Sequence, residues 1–240
     1  MKIYQSKLLN NFTELTHTFT TKREGNVAFH VNDTLSLVLK NHENLANRLH
    51  YDKRTLVHMK QIHSSSVHKV NENDSFETPV TCDALITDKP NTPLMVMVAD
   101  CSPILFYDSN KKVIAVAHAG RAGAFTNIVQ NVIESFTKEF HSKVEDIVVS
   151  IGASIKVCCY EVGSEIYDEA KMLHLEYAII KNENSYKLDI SAILHTQLLD
   201  AGIVGENIEI SPLCTCCNND TLFSYRANAK DGRFCGIISL

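Results

Sequence analysis

The chain has 240 residues, 45% of them apolar, enough to bury a substantial core. Its net charge of -5 comes from mixed signs with no basic stripe, so nucleic acid is not the expected partner. No apolar run reaches the roughly 18 residues of a membrane span, and no basic-then-apolar leader opens the chain, so a cytoplasmic protein with a small-molecule partner is expected.

In chain order, Thr16 to Thr21 reads as the first strand, bounded by Lys22-Arg23-Glu24-Gly25. Leu35, Val38, Leu39, His42, Leu45, Ala46 and Leu49 keep a helical period, which predicts a helix over 35–49. Strands are expected at 56–61 and 83–87. The apolar runs 94–99 and 113–117 flank a further strand at 104–107. A helix is predicted over 121–140, with Ile128, Val132, Ile133 and Phe136 on one face. A strand at 147–151 follows, then helices at 165–175 and 190–201, and strands at 208–210 and 236–239. Glycine and proline are sparse and no linker or repeat is visible, so 1–240 reads as a single domain. Strands and helices alternate in no simple order, giving an α/β or α+β class with a mixed sheet.

The polar turn at 108–111 joins two of these strands. A two-residue turn at Ser109-Asn110 would set Cys101 directly opposite His118, close enough to share a metal ion. Pro103 is the residue that could break this pairing. His63 comes from a third strand end. Two imidazoles and a thiolate suit zinc or copper, and three protein ligands leave a fourth position for water or substrate. The bland reading of the same residues is a buried thiol and a hydrogen-bonded core histidine.

Eight cysteines include the adjacent pairs Cys158-Cys159 and Cys216-Cys217. These do not resemble a secreted disulfide framework, so reduced thiols are expected. Cys158-Cys159 with Cys214-Cys216-Cys217 could make a second metal site, but buried thiols are the favoured reading.

The segments Lys60-Gln-Ile-His63, Cys82-Asp-Ala-Leu-Ile-Thr87, Ala99-Asp-Cys-Ser-Pro103, Ala117-His-Ala-Gly120, Cys158-Cys-Tyr-Glu-Val-Gly163 and Phe223-Ser-Tyr-Arg226 occur in order. Together they resemble the laccase-domain family, described as polyphenol oxidases and later as purine nucleoside phosphorylases with adenosine deaminase activity. The resemblance spans about residues 16 to 240. It implies an α+β fold, a mixed β-sandwich between helical layers, with zinc on His63, Cys101 and His118. It also implies a purine nucleoside substrate, cleaved by phosphate or deaminated by water. Asn26 falls where the family carries an asparagine in its substrate pocket, and Arg226 falls on the arginine of the family's near-C-terminal Phe-Ser-Tyr-Arg segment. The chain departs from the family pattern in three places. Arg121-Ala122-Gly123 stands where Trp-Arg-Gly is usual, Asn41-His42 aligns with an Asn-Arg pair, and Lys156-Val157 replaces Gly-Pro. These changes alter charge and shape around the pocket and leave the ligand set intact.

Four functions follow from these residues. In the first, zinc activates water for deamination, or Arg121, Arg226 and the helix start after Gly120 hold phosphate for phosphorolysis; Asp100 or Asp83 would move protons. In the second, the same three ligands hold copper, with Met95 and Met97 nearby in sequence; a true laccase needs many more histidines. In the third, Cys101 is a nucleophile and His118 its base, without metal, which leaves His63 unexplained. In the fourth, zinc is structural and takes His68 or Cys82 as a fourth ligand.

Overall fold

The computed structural model describes residues 4–31, 33–183 and 185–240. Among them the order is β1 (Thr16–Phe19), α1 (Leu35–Leu49), β2 (Val57–Lys60), β3 (Val67–Lys69), β4 (Val80–Thr81), β5 (Ala84–Thr87), β6 (Leu94–Val98), β7 (Ser102–Asp108), β8 (Val113–Ala119), α2 (Arg121–Phe125) and α3 (Ile128–Phe140). The second half adds β9 (Ile147–Ile151), β10 (Glu161–Val162), α4 (Ser164–Met172), β11 (Ile179–Lys181), β12 (Tyr186–Leu188), α5 (Ile190–Asp200), β13 (Ile208–Ile210) and β14 (Phe234–Ser239).

Two mixed sheets carry the fold. One is ordered β1-β14-β6-β2-β4 and the other β13-β9-β7-β8-β5-β3, with a small sheet β10-β12-β11 beside them. Period-two alternation sorts each long strand between two apolar layers. Leu94, Val96 and Val98 of β6 meet Leu105 and Tyr107 of β7 and Ile114 and Val116 of β8 in the layer between the sheets. Met95 and Met97 face the other way, against Leu45 of α1. Ile104, Phe106, Val113, Ala115 and Ala117 face Ile128, Val132, Ile133 and Phe136 of α3 and Ile193, Leu194 and Leu198 of α5. The result is a sandwich of two sheets between helical layers. No described helix is long and apolar enough to cross a membrane.

Two local expectations are corrected. The helix predicted over 121–140 is broken at Asn127, which takes φ 54° and accepts a hydrogen bond from Gln130 N at 3.1 Å, so it caps α3 instead of continuing α2. The β7–β8 register pairs Pro103, not Cys101, with His118. Asp108 Oδ1 accepts from Asn110 N and Lys111 N at 2.8 and 3.0 Å, and Lys112 turns with φ 55°. The connection is therefore Ser109 to Lys112, two residues longer than expected. A shift of two keeps every side chain on its face, so Cys101 and His118 remain neighbours, on a diagonal. Pro103 stays paired inside β7.

His42 does not point into an open site. It is buried on α1, donates from Nε2 to Val27 O at 2.8 Å, and stacks on Phe29 with ring centroids 5.3 Å apart. Burial holds it neutral, with a pKa pushed down to about 4. His17 and His58 are lowered by burial as well. An unfolded histidine binds a proton below about pH 6.5, whereas buried His42 resists until about 4. Stability contributed by the neutral form is thus present above pH 6.5 and lost as pH falls towards 4. The loss from His42 is on the order of 3 kcal/mol. Urea midpoints of wild type and His42→Phe, measured from pH 7 to 4.5, should show a flatter acid slope in the variant; equal slopes would mean His42 contributes nothing to acid lability.

Candidate metal centre and cleft

His63, Cys101 and His118 converge at one end of the sandwich, their ligand atoms all within 4.8 Å of one another. Each arrives by a different device. His118 is the penultimate residue of β8 and follows the inward Ile114–Val116 face to its end. Cys101 sits in the tight link between β6 and β7, where Asp100 takes φ 84°. His63 sits beyond β2 with φ 60°. The two rings stand edge to face, centroids 4.9 Å apart. Gly120 makes room: a Cβ there would lie 2.7 Å from Cys101 Sγ.

Asp83 organises the set. It is wholly buried just before β5, and its Oδ1 accepts from His118 Nδ1 at 2.9 Å and from His63 N at 3.1 Å. Its Oδ2 accepts from Ser64 N and Ser64 Oγ, both at 2.7 Å, and from Ile62 N at 3.3 Å. Burial would raise this carboxyl, but His118 and the Ser64 donors outweigh it and hold it near 2. Because Nδ1 donates its proton to Asp83, Nε2 is the His118 nitrogen that faces the site and would serve as the donor to a metal ion. Burial disfavours the Cys101 thiolate, yet facing His118 and His63 lowers its pKa. His118 is correspondingly raised by Cys101 and Asp83 against the pull of burial. A thiolate and two imidazoles are thus assembled as donors for a soft or borderline transition metal.

The three donors open into a cavity of about 510 Å³. Asp100, Arg121 and Arg226 line it. Asp100 Oδ1 accepts from Thr215 Oγ1 and its Oδ2 from Arg226 N, each at 2.6 Å, so both oxygens tie loops together. Arg121 is paired with Glu169 at 2.6 Å. Arg226 donates to Cys159 O at 2.9 Å and Glu161 O at 3.0 Å, and its guanidinium lies over Tyr160. Asn26 is not a lining residue; its side chain pairs with Ala28 and accepts from Arg233 N at 2.8 Å, setting the segment that carries Arg233. The sequence reading overlooked Arg233, Tyr160, Tyr225, His30 and Gln61, all of which line the cavity. Gln61, Tyr160 and Tyr225 lie inside the family-like segments; nothing in the spacing marks Arg233 or His30. His68 pairs with Asp74 and Cys82 is buried, and neither is part of the three-residue set. Met97 lines the cavity, while Met95 belongs to the core behind it.

Residues 16–240 match the family described as multi-copper polyphenol oxidoreductase laccase. The chain belongs to this family. It is 30% identical to the purine nucleoside phosphorylase YlmD of Bacillus subtilis, over 96% of this chain and 90% of that one. It is 35% identical to a purine nucleoside phosphorylase of Clostridium acetobutylicum, over 75% and 74%. Among solved structures it resembles the hypothetical protein YfiH of Bacillus licheniformis, with TM-score 0.90, 31% identity, and 97% and 94% covered. YlmD of Geobacillus stearothermophilus gives TM-score 0.89 at 28% identity, with 95% and 92% covered. The mixed α+β sandwich is thus common to these laccase-domain proteins.

The Asp83 network makes a direct prediction. Asp83→Asn loses the charge that fixes the His118 tautomer, and such outer partners typically contribute about 10–100-fold in metal affinity. Chelator competition should show weakening of that size while far-ultraviolet circular dichroism stays native. Unchanged affinity in a folded variant would remove Asp83 from the metal centre's support.

Proposed function

We propose that this chain is a zinc-dependent enzyme acting on purine nucleosides, by phosphorolysis of the N-glycosidic bond, by hydrolytic deamination of adenosine, or both. The observation that carries the reading is one cavity of about 510 Å³ that brings a His-His-Cys donor set together with two tyrosine rings and three arginines. That volume suits a small ligand. Relatives named purine nucleoside phosphorylase support the substrate class.

Zinc suits the set because its donors are nitrogen and sulfur and all lie within 4.8 Å of one another, close enough to share one ion. Among the described residues the one other cluster of such donors is all cysteine, so the several histidine-rich centres of a multi-copper oxidase have no counterpart. Held by His63, Cys101 and His118, zinc would supply Lewis-acid chemistry at the cavity. The protein's own groups do the rest. Tyr160 and Tyr225 offer faces for a purine. Arg121, Arg226 and Arg233 supply positive charge for phosphate, each with donors beyond those it spends inside the fold. In phosphorolysis a phosphate oxygen bonds to the sugar C1′ as the bond from C1′ to the purine nitrogen breaks, and the purine leaves with the electron pair and takes up a proton. In deamination water adds to the ring and ammonia departs. Asp100 is in this reading a positioning residue, since both its oxygens hold the loops that carry Thr215 and Arg226.

Steady-state kinetics with inosine and adenosine, with phosphate varied and ammonia measured, test the proposal. His118→Ala should lose metal and both activities. Arg233→Ala should keep its metal and raise the phosphate concentration for half-maximal rate about 10–100-fold, the scale of one lost charge-assisted hydrogen bond. Full nucleoside turnover by metal-free wild type would instead support a Cys101–His118 nucleophilic pair, and no turnover of any nucleoside by the zinc-loaded protein would overturn the substrate class.

A further inference from the structure

The second sulfur cluster answers to none of this chemistry. Cys158, Cys159, Cys214 and Cys217 lie with all four Sγ atoms within 4.8 Å of one another. Cys217 Sγ is 3.6 Å from Cys158 Sγ and 3.3 Å from Cys159 Sγ. All are free thiols, and Cys158 and Cys217 are exposed. The expectation of buried thiols holds for Cys214 and is corrected for Cys158 and Cys217: apolar burial does not explain why exposed sulfurs should converge from segments more than 50 residues apart.

We propose that these four cysteines form a closed, tetrahedral zinc site that locks one wall of the cleft. The backbone prepares both halves. Cys159 N and Tyr160 N donate to Lys156 O at 2.9 and 3.0 Å, a tight turn that presents the adjacent Cys158 and Cys159 together. Asn218 N donates to Cys214 O at 3.1 Å, a helical turn that sets Cys214 and Cys217 on one side. This Cys-x-x-Cys spacing is a common chelating half-site. Zinc–thiolate bonds of about 2.3 Å place tetrahedral sulfurs roughly 3.8 Å apart, close to the spacing found. Lys156 N donates to Cys214 Sγ at 3.4 Å, which favours a thiolate, and Lys187 Nζ reaches Cys158 O at 3.2 Å, placing positive charge beside the cluster. Four sulfurs leave no open position, so the ion is structural, and an all-sulfur tetrahedron selects zinc over harder ions.

The cleft supplies the purpose. Thr215, between two of the ligands, donates to Asp100, the neighbour of Cys101. Arg226 donates to the carbonyl of Cys159 itself. Tyr160 follows Cys159 directly and lines the cavity. One ion here would hold the peptides that set Asp100, Tyr160 and Arg226.

The site is independent of the nucleoside reading, and elemental analysis of reduced, dialysed protein tests it. Wild type should carry about two zinc ions per chain, and Cys101→Ser about one. Cys158→Ser/Cys217→Ser should also retain about one, held by the His63 centre. A folded Cys101→Ser chain with no zinc overturns the proposal, as does a Cys159–Cys217 disulfide in protein alkylated at lysis. Should the double variant not fold, X-ray absorption at the zinc edge of wild type decides. A sulfur-rich average shell is expected, and a shell dominated by nitrogen and oxygen with about one sulfur would defeat the assignment.

Discussion

A carboxylate sealed from solvent at the start of β5 sets the geometry on which the centre rests. Asp83 is buried as a charge, which is tolerable only because its oxygens are met by donors. Those donors are the turn from Ile62 to Ser64 and the ring of His118. One residue therefore fixes where His63 emerges and which nitrogen His118 offers. Its backbone carbonyl also accepts from His118 N at 2.8 Å, so main chain and side chain clamp the end of β8 together. The cost of burying the charge is offset by these charge-assisted hydrogen bonds, which also order two candidate ligands from separate segments.

Around that clamp the sandwich creates the cleft. The two sheets share an apolar layer, and where that layer ends the alternation continues with polar donors: His118 takes the place that Ile114 and Val116 hold deeper in. Cys101 can approach because Gly120 has no side chain. The cleft's arginines are partly committed to the fold: Arg226 on irregular chain and Arg121 at the start of α2. Arg226 braces the carbonyls of Cys159 and Glu161, and Arg121 is held by Glu169. A guanidinium has five donors, so bracing the wall and meeting an anion are compatible duties for the same side chain.

Which elements were legible follows from how much local pattern each contained. The helix over 35–49 was read with its observed bounds because seven spaced residues marked one face and His50 ends it in a left-handed turn. Strands 94–98 and 147–151 were plain as apolar runs. Strands of two or three residues, such as β4, β10 and β12, hold too few positions for alternation to register. The breaks were missed where a side chain overrode the periodicity: Asn127 caps a new helix, and the Asp108 carboxylate lengthens a hairpin connection.

The same division holds for the site. Chemistry that needs a particular residue type at an element's end left a mark in sequence, so His63, Cys101 and His118 stood out, as did the clustered cysteines. Sequence by itself also determined the apolar alternation that makes two sheets stack, and the turn residues that end them. Only the tertiary structure decided that Asp83 meets both His63 and His118, that Asn26 supports Arg233 from outside the cavity, and that Cys158 and Cys159 meet Cys214 and Cys217. Those pairings join segments from 20 to more than 200 residues apart. No local period encodes them, because the energy that selects them arises when burial forces distant polar groups to satisfy one another.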